Sequence, residues 1–156
     1  MSDDALYAAT FHLPVDRCIF GIQESRSGEE YSAPAWLELE IDEVPVRMSR
    51  GAVRFMSLIG THSPLITVEI RKNLSKVPSR DFDLIGSGRY LTFSGDATFL
   101  TIDGPHASFS LRPYSEYELN VWRKGGDTAR ERHEELMGTV YPIEGLEEYL
   151  IQFTER

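Results

Sequence analysis

The amino-acid sequence predicts a mainly β protein: an antiparallel β-sandwich, jelly-roll-like or immunoglobulin-like, with one short helix near the C-terminus. Three observations carry that expectation. Apolar and polar residues alternate with a period of two through much of the stretch from Leu65 to Lys124, turn residues recur every eight to twelve positions, and a single segment carries helix signals. A half-buried strand places alternate residues on opposite faces automatically, which a helix cannot do.

Tyr7 to Leu13 and Cys18 to Gln23 read as the first two strands, separated at Pro14, which cannot donate to a ladder. Ser25 to Pro34 has loop composition. Trp36 to Asp42 then alternates cleanly, with Leu37, Leu39 and Ile41 on one face and Trp36, Glu38, Glu40 and Asp42 on the other, so a strand with an acidic outer row is expected. After the Val44-Pro45 break come a short strand, Val46 to Met48, a turn at Gly51 and a longer strand, Ala52 to Ile59. The last is apolar on both faces except at Arg54 and Ser57, as suits a doubly covered strand.

Residues 60–64 connect to a strand in which Ile66, Val68 and Ile70 oppose Thr67, Glu69 and Arg71. Asn73 to Pro78 is a polar loop and Asp81 to Ile85 a brief extended piece. Gly86-Ser87-Gly88 reads as a turn, Arg89 to Phe93 as a strand, Ser94-Gly95-Asp96 as a second turn and Ala97 to Ile102 as the next strand. Asp103-Gly104 is a hairpin signal, because both residues tolerate a positive φ. Alternation resumes in Ala107, Phe109 and Leu111, and again in Tyr117, Leu119 and Val121. Thr128-Ala129-Arg130-Glu131 matches a capping box opening a helix that stops at Met137 before Gly138, and Tyr149 to Phe153 supplies a closing strand.

Length and apolar content fit one domain, residues 1–156, able to bury a core without staples. One cysteine, Cys18, excludes an internal disulfide and sits in an apolar setting that favours an inert thiol. The first residues are acidic where an export signal would be basic, and no apolar run approaches the ~20 residues that span a bilayer, which predicts a cytoplasmic protein without an anchor. A net charge of −9 argues against direct nucleic-acid binding and toward a basic partner. The charge is unevenly spread: residues 1–43 carry −8, residues 44–126 carry +4 and residues 127–156 carry −5.

Catalytic and metal signatures are weak. His12, His62, His106 and His133 are scattered, with no His-x-His and no cysteine pair, so neither a metal nor a cofactor is expected. There is no Gly-x-Ser-x-Gly elbow, and Gly86-Ser87-Gly88-Arg89 lacks the P-loop lysine. Carboxylates from distant strands could still form a hydrolase, and Tyr114, Tyr117 and Trp122 could form a sugar-stacking platform, although core packing explains the same aromatics.

Four segments carry a resemblance: Ile66 to Arg71, Leu91-Thr92-Phe93-Ser94-Gly95, Ser110-Leu111-Arg112-Pro113 leading into Tyr117 to Trp122, and Glu148 to Phe153. Over residues 52–153 the chain resembles small bacterial β-sandwich proteins of the competence-protein-J, nuclease-inhibitor type. Tyr114-Ser115-Glu116 stands where that group carries a glycine at the corner, and the insertion around the helix is longer. The resemblance implies a protein that binds and silences a regulated or toxic enzyme. The expected function is therefore that of an acidic inhibitor or immunity-type protein acting on a basic protein such as a nuclease or toxin. Glu38, Glu40 and Asp42 would face the cationic surface, with Trp36 as aromatic anchor. Three carboxylates about 7 Å apart along a strand repel by roughly 0.6 kcal/mol per adjacent pair, a cost without local reward. The alternatives are a carbohydrate or small-molecule binding module and a hydrolase.

Overall fold

The structure, a computed structural model, describes residues 5–24, 36–72 and 77–156. In chain order the strands are β1 (Ala5–His12), β2 (Ile19–Gln23), β3 (Val46–Ser49), β4 (Ala52–Met56), β5 (Ser63–Arg71), β6 (Phe82–Thr92), β7 (Asp96–Thr101), β8 (Gly104–Ser110), β9 (Ser115–Lys124) and β10 (Glu144–Glu155). One helix, α1 (Ala129–Leu136), lies between β9 and β10. Among the described residues no helix is long and apolar enough to cross a membrane.

Two five-stranded sheets form, one in the order β1-β5-β10-β9-β6 and the other β3-β4-β2-β7-β8. The predicted alternation becomes burial in Ile66 and Val68 of β5 and Leu119 and Val121 of β9, and in the closing strand Tyr149, Ile151 and Phe153 of β10 are almost wholly enclosed as well. They meet Phe20 and Ile22 of β2, Val53 and Phe55 of β4 and Phe99 of β7 in one core fed by both sheets. Aromatic rings are the largest side chains of that core. Phe20 stacks on Phe55 at 4.7 Å and receives the edge of Tyr149 at 5.2 Å, while Phe153 meets Tyr90 at 5.3 Å and Phe109 at 5.5 Å. Such edge and offset contacts add to the area term.

Several expectations are corrected. The sheets are not wholly antiparallel: β10 pairs with β5 in parallel, Tyr149 opposite Ile66 and Ile151 opposite Val68. Alternation fixes which face a residue takes and carries no information on strand direction. Gly86-Ser87-Gly88 is not a turn but the middle of β6. A Cβ at Gly86 would lie 2.7 Å from the Cβ of Val46, and one at Gly88 would lie 2.8 Å from the Sδ of Met48. These glycines are there because β3 crosses β6 with no space for side chains between them. The predicted strand from Trp36 to Asp42 is also absent. Residues 36–38 form a short 3-10 turn, and the chain then runs irregularly to Pro45. The predicted loop from Ser25 to Pro34 lies outside the described residues, as do four positions, 73–76, of the second.

The helix forms where the capping signals place it, yet the Thr128 hydroxyl makes no cap hydrogen bond. The chain enters α1 through a turn in which Thr128 N donates to Gly125 O at 3.2 Å, and Thr128 O accepts from Arg132 N. Gly138 has φ +84°, the left-handed stop expected of it. Ala129 seats the helix against Ile59, Ile143 and Leu146 in a small second core. At the opposite end, buried Glu24 accepts hydrogen bonds from Thr92 Oγ1, Phe93 N and Ser94 N at 2.6, 3.0 and 3.0 Å, fixing the β6–β7 turn.

Candidate partner-binding surface

The segment from Trp36 to Val44 lies on the outer side of β2 and β4. Trp36 is buried, not exposed as the alternation implied, and packs with Ile19 and Ala52. Its ring lies where a side chain at position 21 would be: a Cβ on Gly21 would come 2.4 Å from Trp36 Cε3. The backbone N of Trp36 donates to Gln23 Oε1 at 3.1 Å. The indole needs a strand surface that only glycine leaves open, and that requirement overrides the period of two.

Beyond Trp36 the chain is held by arginine. Arg54, fully enclosed on β4, donates from Nε to Glu40 O at 3.0 Å, from Nη1 to Val44 O at 2.8 Å and from Nη2 to Asp42 Oδ1 at 3.0 Å. Arg47 on β3 holds the other oxygen of Asp42 and reaches Glu40 Oε2 at 3.5 Å. The hydrogen bond from Arg47 is the main reason the Asp42 carboxyl titrates below its ordinary range. Burial pulls the Arg54 pKa down, against the opposing charge of Asp42. A guanidinium nonetheless stays protonated at any ordinary pH.

The four site residues expected from the sequence therefore divide. Trp36 is the footing of the loop and Asp42 the anion of its clamp, whereas Glu38 and Glu40 face solvent. Three apolar residues read as interior, or not read at all, are exposed beside them: Leu37 at 45%, Ile41 at 60% and Val44 at 39%. Glu43 is exposed too. The loop thus offers carboxylates interleaved with aliphatic side chains on a fixed backbone. The signal that could have found it was Arg54, a charge in an otherwise apolar strand.

At the far end a second polar cluster is buried. Ser57 Oγ donates to Glu147 Oε1 at 2.6 Å, Tyr149 OH donates to the same oxygen at 2.8 Å, and Leu58 N donates to Oε2 at 3.2 Å. With its hydroxyl proton so committed, Ser57 accepts from Ile59 N and from Nε2 of His62, at 3.1 and 2.8 Å. Serine, histidine and carboxylate here lack the geometry of a nucleophilic triad, in which the histidine would take the serine proton and the carboxylate would orient the histidine. Burial lowers the His62 pKa to about 4, so the ring is neutral at physiological pH. An apolar depression of about 650 Å³ lies nearby, bordered by Val15, His133, Met137, Val140 and Tyr141.

The proposed sugar platform is not assembled. Tyr117 is buried, its OH accepting from Arg112 N, Trp122 is half-buried and donates to Gln152, and Tyr114 alone of the three is exposed. Among the described residues no three or more His, Cys, Asp or Glu side chains converge as metal ligands. Cys18 is half-buried, its Sγ 3.5 Å from the Sδ of Met56, and burial pushes its thiol pKa up.

No family model matches the sequence, and no curated protein matches it either. By fold the chain is a two-layer β protein with a counterpart among solved structures. One is the crystal structure of ComJ, inhibitor of the DNA degrading activity of NucA, from Bacillus subtilis: 14% identical, covering 95% of this chain and 96% of that one, with a TM-score of 0.59. Another is crocagin biosynthetic gene J, 12% identical over 96% of this chain and 97% of its own, with a TM-score of 0.55. The likeness runs through the whole of both chains, so the nuclease-inhibitor resemblance read from the strands is matched in fold.

Proposed function

We propose that this protein binds and silences a basic enzyme, a nuclease, through the loop from Leu37 to Val44. The observation that carries the reading is the arginine clamp. Arg54 and Arg47 hold the loop so that Glu38, Glu40 and Glu43 stand outward among Leu37, Ile41 and Val44. Preorganised carboxylates raise the association rate with a cationic cleft, while aliphatic neighbours supply the burial that slows release. The fold shared with ComJ, a nuclease inhibitor, supports the same reading. Trp36 and Asp42 act from beneath by seating the loop. On this reading residues 1–156 work as one cytoplasmic domain.

The test is a DNA-degradation assay with purified NucA and other basic nucleases, with and without the protein. Inhibition that weakens with salt is expected. Replacing Glu38, Glu40 and Glu43 together by lysine should slow association about tenfold or more at low salt. Unchanged rates would remove the loop from the account, and failure to inhibit any nuclease would remove the function itself. The apolar depression beside Tyr141 favours a second reading, a small-molecule binding module. A ligand-dependent rise in melting temperature, with no nuclease affected, would favour it over the first.

A further inference from the structure

At the end of the sheets opposite the helix, the β8–β9 corner carries a residue in a costly conformation. Tyr114 has φ +51°, in the left-handed region that an L side chain enters at a cost and a glycine enters freely. Burial does not repay that cost, because the Tyr114 side chain is 84% exposed. The corner is nevertheless rigid. Tyr114 N donates to Phe93 O at 3.0 Å, Leu111 N donates to Gly95 O at 2.6 Å, and a Cβ on Gly95 would lie 2.4 Å from Leu111 O. Glu24 locks the facing turn from inside.

Phe93, held by that turn, lies 6.1 Å from the Tyr114 ring, and the Arg50 guanidinium covers the Phe93 ring at 4.7 Å. The other cations of this end are engaged: Arg112 with Glu155 at 3.0 Å, Arg89 with Glu116 at 3.4 Å and Arg156 with Glu116 at 2.9 Å. Exposed Arg50 has no carboxylate partner among the described residues. Shallow depressions of about 260 and 250 Å³ flank Tyr114, the first floored by Phe93 and bordered by Arg50, Leu91 and Glu116, the second by Glu116 and Glu155, whose carboxylates are already held by Arg89, Arg112 and Arg156.

We propose that Arg50, Phe93 and Tyr114 form a second contact surface, separate from the acidic loop, that takes an acidic peptide segment of a protein partner. Tyrosine and arginine are among the side chains that most often anchor protein contacts, and here the Tyr114 backbone is fixed and Arg50 is placed over Phe93 before the partner arrives. A guanidinium with no carboxylate partner among the described residues, set over half-buried Phe93 and beside exposed Tyr114, selects a carboxylate carried next to an apolar side chain. Backbone strain kept at an exposed residue is a mark of function when nothing in the fold requires that side chain.

The test uses the whole protein, labelled for NMR, and an acetylated, amidated peptide of alternating glutamate and leucine. The peptide should shift the Arg50 Nε–Hε and the Phe93 and Ser115 amide resonances, with Tyr114→Gly and Arg50→Gln each weakening binding about tenfold. Tyr114→Gly should leave the melting temperature unchanged or raise it by about 2 °C, since the glycine relieves the strain. Equal binding of the glutamine-for-glutamate peptide would overturn the proposal, as would shifts produced only by an oligothymidylate. A melting temperature lowered by more than about 4 °C in Tyr114→Gly would also overturn it, by making the side chain structural.

Discussion

Arg54 shows how one side chain sets the shape of a surface it never reaches. Its three donors take two loop carbonyls and one carboxylate, so a stretch without regular structure is anchored to a central strand. Replacing it with methionine keeps most of the volume but strands buried acceptors, so Arg54→Met should cost about 3 kcal/mol in urea unfolding. Amide exchange in residues 40–44 should rise more than exchange in β10, which makes no contact with the clamp. The sequence offered a clue at this scale. Within the apolar run from Ala52 to Ile59 the two polar exceptions were Arg54 and Ser57, and each is the centre of a buried network. Which groups they would bond was not legible, because Glu147 joins Ser57 from 90 positions away.

Among the elements, the strands with one covered face were legible and those under unusual constraint were not. β5 and β9 alternate as read, because core and solvent differ across them, while the closing strand read at Tyr149 to Phe153 lies within β10, a central strand whose Gln152 and Thr154 are buried too. Leu37 to Asp42 alternates just as well without being a strand: what decides there is a glycine on a neighbouring strand, Gly21, that lets the indole lie flat. Gly86 and Gly88 read as a tight turn, and local sequence cannot separate a turn from the close approach of two strands that the structure has there. A β-branched residue mid-strand would ordinarily help an exposed edge strand. Gly86→Val should instead destabilise by about 3 kcal/mol in guanidinium unfolding, because its side chain would displace Val46 and part β3 from β6.

Across the whole molecule the buried histidine gives stability a pH dependence. His62 titrates near 4 in the fold, against 6.5 when unfolded, because burial disfavours its charge; Glu147 opposes that shift and His133 adds to it. The unfolded chain therefore takes up the proton first as pH falls. The contribution is whole above pH 6.5 and is lost progressively toward pH 4, amounting to about 3 kcal/mol. Asp42 adds to the loss only below its ordinary 3.8, since Arg47 holds it ionised in the fold. Tyr149, whose pKa burial raises above 10.0, works in the opposite sense, withdrawing stability as pH climbs past that value. Urea melts at pH 7, 5.5 and about 4 should show the acid decline, and His62→Asn should flatten it. The two-layer plan was visible from alternation and turn spacing, but the parallel pairing of β5 with β10 was not, since direction leaves no local mark. That pairing also governs the order of assembly. β10 runs between β5 and β9 and is synthesised after every other described strand. All five strands of the second sheet have been synthesised by Ser110, whereas once Lys124 is added the first still consists of two fragments, β1 with β5 and β6 with β9. Each fragment then presents an unpaired ladder edge to the cell, so the nascent chain passes through a stage exposed to chaperones and to aggregation that ends when Glu144 to Glu155 slots in.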